Sequence, residues 1–145
     1  MSELVLTAFP ELCELSHEDG KTLQAFLRFR VYESGRRLAH EASEAEGLLL
    51  VESGRFQLKA SAVEQSETLD GPLAMGAYSL VCVGQRRYTA VAKTACTVWS
   101  LDRPAYRRLV EDHPQVACRL LEGILLRAAA LGEGLITALQ ADRAT

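Results

Sequence analysis

The cysteines and histidines are the side chains of this sequence that could bind a metal ion or form disulfide bonds. A structural zinc site needs four such ligands at close range, commonly with cysteines in CxxC pairs. No two of the four cysteines have that spacing, and the histidines show no spacing to the cysteines or to each other that would supply four converging ligands. The residues concerned are Cys13, Cys82, Cys96 and Cys118 with His17, His40 and His113. We therefore expect no metal site, and because every cysteine has apolar neighbours we expect small, buried, free thiols.

The sequence lacks the short motifs that carry catalytic chemistry. It has no nucleophile elbow, no paired-carboxylate motif and no Walker loop. The acidic pair Glu111-Asp112 is typical of a solvated helix end. His113 directly precedes Pro114, which indicates a helix junction rather than a general base. We predict that the protein is not an enzyme.

Composition limits the remaining classes of function. The 145 residues are 48% hydrophobic and 24% charged with a formal net charge of −3, which suits a single globular domain over residues 1–145. Direct nucleic-acid binding is not expected, since it usually requires a basic footprint. The N-terminus has no secretory-signal pattern, and the aliphatic run Leu48 to Val51 is too short to span a membrane. With free thiols, these features predict a cytoplasmic protein without a membrane span.

The chain divides into three zones of different periodicity. In residues 1–29, apolar side chains recur at helical spacing, and Ser16 followed by acidic residues favours a helix start. Residues 30–101 contain many short apolar or alternating runs between turn residues, typical of antiparallel strands. Ser53-Gly54 predicts a tight hairpin, and the polar stretch 61–70 predicts a loop or an irregular hairpin. We expect a mainly β fold, an antiparallel β-roll or jelly roll, with N-terminal helices and a long C-terminal helix.

The zone of residues 102–140 is predicted to be helical. Asp102 can cap a short helix that has Pro104 in its first turn and ends near His113. Pro114 can open a long helix that reaches about Gln140. Gly132 and Gly134 would either fray its end or permit close approach of another backbone.

Apolar residues in the long helix recur at alternating steps of four and three, the spacing of a coiled-coil seam. The predicted interface residues are Ala117, Leu121, Ile124, Ala128, Leu131 and Leu135. Further apolar residues lie off this seam, so one side of the helix could cover the β-unit while the seam meets a partner. The seam predicts a homodimer or docking to another protein; the alternative is that a single broad face packs within the chain.

Residues 68–92 read TLDGPLAMGAYSLVCVGQRRYTAVA. This string resembles the phosphate-binding cassette of cyclic nucleotide-binding domains, the β-roll modules of the catabolite activator (Crp/Fnr) and cyclic-nucleotide-gated families. The turn at Gly35, the Leu48 to Val51 run and the segment Leu101-Asp102-Arg103 also fall where that family's pattern expects them. In the resembled family, a Gly-Glu pair opens a short helix facing the cyclic phosphate, the Glu accepts from the ribose 2′-hydroxyl, and an Arg pairs with the phosphate.

The resemblance assigns a candidate ligand site on the cassette. The residues concerned are Gly76, Ala77, Tyr78, Ser79, Leu80, Arg86, Arg87 and Tyr88. Gly76 supplies the turn and Arg86 the phosphate cation. Ala77 stands where the Glu is expected, Arg87 where Ser or Thr is usual, and Tyr88 where a small Ala leaves room for ligand. Losing the ribose acceptor alone leaves a hydroxyl unpaired at a cost of about 1–3 kcal/mol.

Two functions follow from these departures. The first is a non-catalytic regulatory or interaction module with impaired cyclic nucleotide binding, weakened on the order of a hundredfold or more, that acts through protein contacts. The second is a genuine sensor of a cyclic nucleotide or another phospho-ligand, in which binding shifts the C-terminal helix at residues 112–115. No cofactor is expected beyond such a nucleotide. Because the sequence stops at Thr145, the family's DNA-reading helix-turn-helix is not expected in it. Arg86 alone could also be an ordinary solvated arginine.

Overall fold

The computed structural model describes residues 3–44 and 47–144 of the chain. The elements are two 3-10 turns, helix α1, eight strands with a third 3-10 turn between β6 and β7, and helices α2 and α3. In chain order they are η1 (Leu6–Ala8), η2 (Pro10–Leu12), α1 (His17–Gln24), β1 (Arg28–Tyr32), β2 (Arg37–Ala39), β3 (Gly47–Ser53), β4 (Arg55–Ala60), β5 (Val63–Asp70), β6 (Leu73–Met75), η3 (Ala77–Leu80), β7 (Thr89–Ala92), β8 (Cys96–Asp102), α2 (Arg103–Asp112) and α3 (Pro114–Ala144).

The strands form two antiparallel four-stranded sheets. The first has the order β1-β8-β3-β6, and the second has the order β2-β7-β4-β5. The predicted β-roll with N-terminal helices and a long C-terminal helix is confirmed. The β-roll begins and ends slightly outside the predicted zone 30–101, since β1 starts at Arg28 and β8 ends at Asp102.

The N-terminal segment is less regular than its spacing predicts. The region around Phe9 and Leu12 forms 3-10 turns rather than an α-helix, although both side chains are buried. Helix α1 begins where expected, with a complete capping box between Ser16 and Asp19.

Gly54 does not close a hairpin, and that prediction was wrong. Strand β3, before Gly54, pairs with β6 and β8, whereas β4, after it, pairs with β5 and β7. The chain therefore crosses from one sheet to the other at Gly54. Its φ of 108° and the nearby backbone of Cys96 require glycine here. Turn residues signal a change of direction, whereas the sheet that the chain enters next depends on distant pairing partners.

The polar stretch 61–70 was predicted to be either a loop or an irregular hairpin, and the structure shows the hairpin. Most of the stretch is strand β5. Strand β5 pairs along β4, with a register shift between Leu58 and Ala60.

Two apolar cores hold the molecule together. The inner core lies between the sheets and includes Val51, Phe56 and Val98. The outer core lies between the first sheet and the helices and includes Leu50 and Trp99. Strand β3, in the middle of the first sheet, is therefore buried on both faces, which explains its continuous apolar run.

The start of α2 and its junction with α3 are determined by residues close by in the sequence. Asp102 caps α2 by accepting a hydrogen bond of 2.8 Å from the backbone N–H of Ala105. Helix α2 ends at Asp112, and Pro114 opens α3. Helix α3 continues through Gly132 and Gly134 to Ala144, beyond the predicted end at Gln140. Within the described part of the chain, nothing lies within 4 Å of a Cβ built at either glycine.

The close approach expected of a helical glycine occurs instead at Gly123. A Cβ there would overlap the carbonyl oxygen of Glu11 in η2. Helix α3 thus crosses the backbone of the N-terminal segment at Gly123, where Leu12 and Leu120 are fully buried beside the crossing.

The prediction of buried cysteines holds for Cys96 alone. Cys13, Cys82 and Cys118 are exposed, and all four thiols are free. Apolar sequence neighbours do not bury a thiol, because adjacent side chains point in different directions. Val116 and Ala117 face the core while Cys118, one position further round α3, faces solvent.

Candidate functional site

A left-handed glycine starts the cassette predicted to bind phosphate. Gly76 has a φ of 73° and precedes η3, a single 3-10 turn. A Cβ at Gly76 would lie 2.9 Å from the carbonyl oxygen of Gly47, so the turn packs on the start of β3. The buried Ser79 hydroxyl lies 2.9 Å from that same oxygen and 2.7 Å from the carbonyl oxygen of Gly76. These contacts fix the turn against the first sheet.

Arg86 is not a solvated surface arginine. Its side chain is only 8% exposed, and its Nη1 atom lies 3.3 Å from the Cβ position of Gly76. Nη1 is buried and has no hydrogen-bond partner among the described residues. A buried guanidinium nitrogen without a partner is costly, and an anion is the group that best satisfies it.

The remaining predicted site residues divide between core and surface. Leu80 and Ser79 are buried, and Ala77 packs against the outer core. Tyr78 and Arg87 are exposed. Gly76 and Arg86 are therefore brought together as the resemblance implies, whereas Arg87 points away from the protein interior.

Tyr88 lies beside Arg86 and packs against the inner core. Burial raises the pKa of its hydroxyl, and the nearby Arg86 cation acts in the opposite direction. The phenol is therefore neutral at physiological pH. It occupies space next to the phosphate cation where a methyl group is expected.

A cavity of about 520 Å³ opens beside Arg86 at the end of the β-roll. Its size is within the usual range for small-molecule sites. It lies between β1 and β8 of one sheet and β2 of the other, with the loop 40–44 across it. Its wall includes Arg28, Arg30, Arg37 and Arg86, together with Leu38 and Leu49.

The loop 40–44 is tied directly to Arg86 through the backbone. The N–H of Arg86 donates to the carbonyl of Ser43 at 2.8 Å, and the N–H of Ala42 donates to the carbonyl of Arg86 at 2.8 Å. The arginine therefore has a fixed backbone position as well as a buried side chain.

Arg103 connects the cassette to the helices and was not predicted from the sequence. Its Nε donates to the carbonyl of Ser79 at 3.0 Å, and its Nη1 lies 3.5 Å from Glu44. Because Arg103 is the first residue of α2, this hydrogen bond joins η3 directly to the start of that helix. The segment Leu101-Asp102-Arg103 is part of the resemblance, but the contact of this arginine with η3 depends on the fold and not on a local motif.

The junction between α2 and α3 contacts the N-terminal segment. The ring of His113 meets Phe26 edge-on, with ring centroids 5.9 Å apart. Six residues after His113, Arg119 of α3 pairs with Asp19 of α1 at 2.8 Å. A hydrogen bond from the Ser16 backbone N–H, supported by Arg119, holds the pKa of Asp19 below its usual value.

The predicted seam on α3 changes character along its length. Ala117 is buried in the outer core, and Leu121 and Ile124 pack against that core. From Ala128 onward every described position is exposed, including Leu131 at 58% and Leu135 at 63%. The proximal seam therefore packs within the chain, as the alternative expected, and only the distal seam is open to a partner.

Helix α3 from Pro114 to Arg143 is also long and apolar enough to cross a membrane, by length and composition alone. The sequence prediction of no membrane span, based on shorter aliphatic runs, did not consider this helix as a whole. Among the residues that the structure describes, no cluster of histidine, cysteine and acidic side chains could hold a metal ion.

With the fold and the cassette described, comparison with known proteins identifies the class. The model of the cyclic nucleotide-binding domain matches residues 29–113, more than half of the chain. The chain belongs to the cyclic nucleotide-binding domain family, which is regulatory.

Individual relatives agree with this assignment. The chain is 24% identical over 119 residues to a cAMP-dependent protein kinase regulatory subunit of Yarrowia lipolytica, covering 82% of this chain and 32% of that protein. It therefore spans about a third of the length of this curated relative.

Solved structures show the same fold. The N-terminal domain of a transcriptional regulator from Streptomyces coelicolor superposes with a TM-score of 0.75 at 25% identity, covering 90% of this chain and 94% of the other. The catabolite activator protein of Thermus thermophilus gives a TM-score of 0.66 at 28% identity, covering 88% of this chain and 63% of that one.

Proposed function

We propose that the chain is a non-catalytic regulatory module that acts through protein contacts of the distal part of α3, with a second copy of itself as the partner. The observation that carries this proposal is the exposed apolar surface of that part of the helix. Its large apolar side chains are all at least half exposed: Leu125, Leu126, Leu131, Leu135, Ile136 and Leu139. Contiguous apolar surface of this kind marks an interaction site.

A second copy fits this surface better than other occupants. Between Arg127 and Asp142 the sequence has one charged residue, Glu133, so two such helices could pack together with little charge repulsion. Ala128, Leu131 and Leu135 keep the coiled-coil spacing along this stretch. The same patch on both chains is self-complementary about a two-fold axis, the commonest arrangement of soluble oligomers.

Weak binding of ordinary cyclic nucleotides is the other part of the proposal. Ala77 offers no carboxylate to a ribose hydroxyl, and Tyr88 fills space beside Arg86. A cyclic nucleotide would retain only its phosphate contact with Arg86. The module would then serve as a dimeric scaffold whose regulation does not depend on tight binding of cyclic AMP or GMP.

Light scattering of seam variants tests the role of α3. Leu131→Asp combined with Leu135→Asp places charges on the seam, and we expect the mass to fall from dimer to monomer. Thr137→Asp, exposed on the opposite side of the same helix, is the matched control and should leave the dimer intact. A monomeric wild-type chain would overturn the proposal, as would an unchanged mass of the double variant. Flotation of the wild-type chain with lipid vesicles would instead assign the apolar face to a membrane.

Sensing of a phospho-ligand is a second candidate function, favoured by the buried, unpartnered Nη1 of Arg86. An anion bound there would act on η3, and Arg103 would pass the movement to α2 and the His113 junction. Such a change requires a ligand that prefers one of the two states of the helix. Calorimetry with cyclic AMP and an Arg86→Gln variant tests it: we expect weak binding that the variant abolishes. Identical heats for both proteins would remove the sensing function.

A further inference from the structure

Strand β1 places two arginines on the face of the first sheet that elsewhere forms the inner core. Arg30 lies opposite Val98 of the inner core, and Arg28 lies two residues away on the same face. The alternate residue Phe29 faces the other side and packs against Trp99 in a tilted arrangement, with ring centroids 4.8 Å apart. Arg28 and Arg30 therefore occupy positions where a sandwich normally has apolar side chains.

These two arginines share the cavity with Arg37 and Arg86. The described wall also contains two carboxylates, Glu44 and Asp102. Both are already engaged: Asp102 caps α2, and Glu44 lies 3.5 Å from Arg103. The wall thus has a cationic excess although the whole chain has a net charge of −3. Such a concentration of positive charge in a cleft attracts anions.

The cationic excess is larger than one phosphate requires. A cyclic mononucleotide has a single phosphodiester charge, which Arg86 alone can pair. Arg28, Arg30 and Arg37 form no ion pair with any of residues 3–44 and 47–144. They remain available for further negative charge on the same ligand.

We propose that the cavity binds a nucleotide carrying two or more phosphate charges, with one phosphate at Arg86 and a second at Arg28 and Arg30. This inference rests on the sensing function of the Arg86 site and specifies its ligand class. It also accounts for the departures in the cassette. A ligand held by several phosphate contacts does not need the ribose acceptor that Ala77 lacks.

Edge protection is the competing explanation for the same arginines. Strand β1 is at the edge of its sheet, and inward-pointing charges on edge strands prevent aggregation. The two explanations differ in what removal of the charges does: one predicts loss of ligand affinity, and the other predicts loss of solubility.

Calorimetry at fixed ionic strength with three probes distinguishes these possibilities. Cyclic AMP carries one phosphate charge, cyclic di-AMP carries two separate phosphodiesters, and ATP carries a linear polyphosphate. We expect cyclic di-AMP or ATP to bind at least about tenfold more tightly than cyclic AMP, a difference of about 1.4 kcal/mol. The tighter of the two identifies whether the phosphates are separate or linear.

The double variant Arg28→Gln/Arg30→Gln should remove this preference and leave cyclic AMP binding within about twofold of wild type. The variant Lys59→Gln/Arg108→Gln removes the same charge from exposed positions outside the cavity and should bind like wild type. Equal affinities for all probes, or a preference that survives in the double variant, would overturn the proposal while leaving cyclic AMP sensing intact. Aggregation of the double variant with unchanged affinity would assign the arginines to edge protection. No heat from any probe would remove the sensing function and the ligand class together.

Discussion

Replacement of Gly123 by alanine should destabilise the protein, although alanine is the better helix former. In an unobstructed helix, Gly→Ala stabilises by up to about 1 kcal/mol. At Gly123 the added methyl group would overlap the Glu11 carbonyl oxygen and lie 3.0 Å from its carbon. Backbone atoms cannot rotate away as a side chain can, so α3 must move off the N-terminal segment. Overpacking of this kind costs about 1–3 kcal/mol, and after the propensity gain of up to about 1 kcal/mol we expect a net loss of up to about 2 kcal/mol.

Gly132→Ala, in the same helix, is the matched control, because none of the described residues has an atom within 4 Å of a Cβ at that position. It should stabilise the protein by up to about 1 kcal/mol. Thermal unfolding followed by circular dichroism compares the two variants, and each kcal/mol corresponds to a Tm shift of roughly 3 °C at this chain length. Equal, positive Tm shifts for both variants would refute the crossing of α3 over the backbone at Glu11.

Three further predictions follow from individual contacts. Under native conditions, the exposed Cys13, Cys82 and Cys118 should react rapidly with a thiol reagent. Cys96, whose pKa is raised by burial, should react only after denaturation. A single rapidly reacting thiol would contradict these exposures. Ser79→Ala leaves the Gly47 and Gly76 carbonyls without their hydroxyl partner and should cost about 1–2 kcal/mol in urea unfolding, while an unchanged midpoint would show that the hydroxyl does not anchor the cassette. Asp19→Asn should cost about 1 kcal/mol near neutral pH. The folded-state pKa of Asp19 is depressed, so the stability difference between wild type and variant is fully present above the unfolded-state pKa of about 3.9. It should disappear as the pH falls through the folded-state pKa. A stability difference that persists in acid would contradict its ionic origin.

The parts of the fold that could be predicted are those set by local signals. The Ser16 cap, the Asp102 cap and the break at Pro114 each depend on residues within one helical turn, and each is confirmed. The apolar run Leu48 to Val51 likewise lies within strand β3.

The parts that could not be predicted depend on residues distant in sequence. The crossing at Gly54 joins two sheets whose partners lie elsewhere in the chain. The placement of the exposed Arg28 and Arg30 on the cavity side of β1 follows from the register of β1 against β8, which no local pattern indicates. The importance of Gly123 follows from contact with η2, more than a hundred residues earlier in the sequence.

The position of the candidate site was predicted from the sequence, but the side chains that surround it were not. The resemblance located Gly76 and Arg86, and the structure brings these two together. The same resemblance could not show the cationic wall, because Arg28, Arg30 and Arg37 lie outside the cassette. It included Arg103 in the segment Leu101-Asp102-Arg103 but did not indicate that this residue connects the cassette to α2.

Sedimentation equilibrium of the unmodified chain tests the proposed function most directly. An apolar distal α3 that pairs with a second copy predicts a monomer–dimer equilibrium, with the weight-average mass rising toward twice the 15.9 kDa chain mass as concentration increases. A mass that stays at the monomer value throughout the micromolar range would contradict the proposed role of α3.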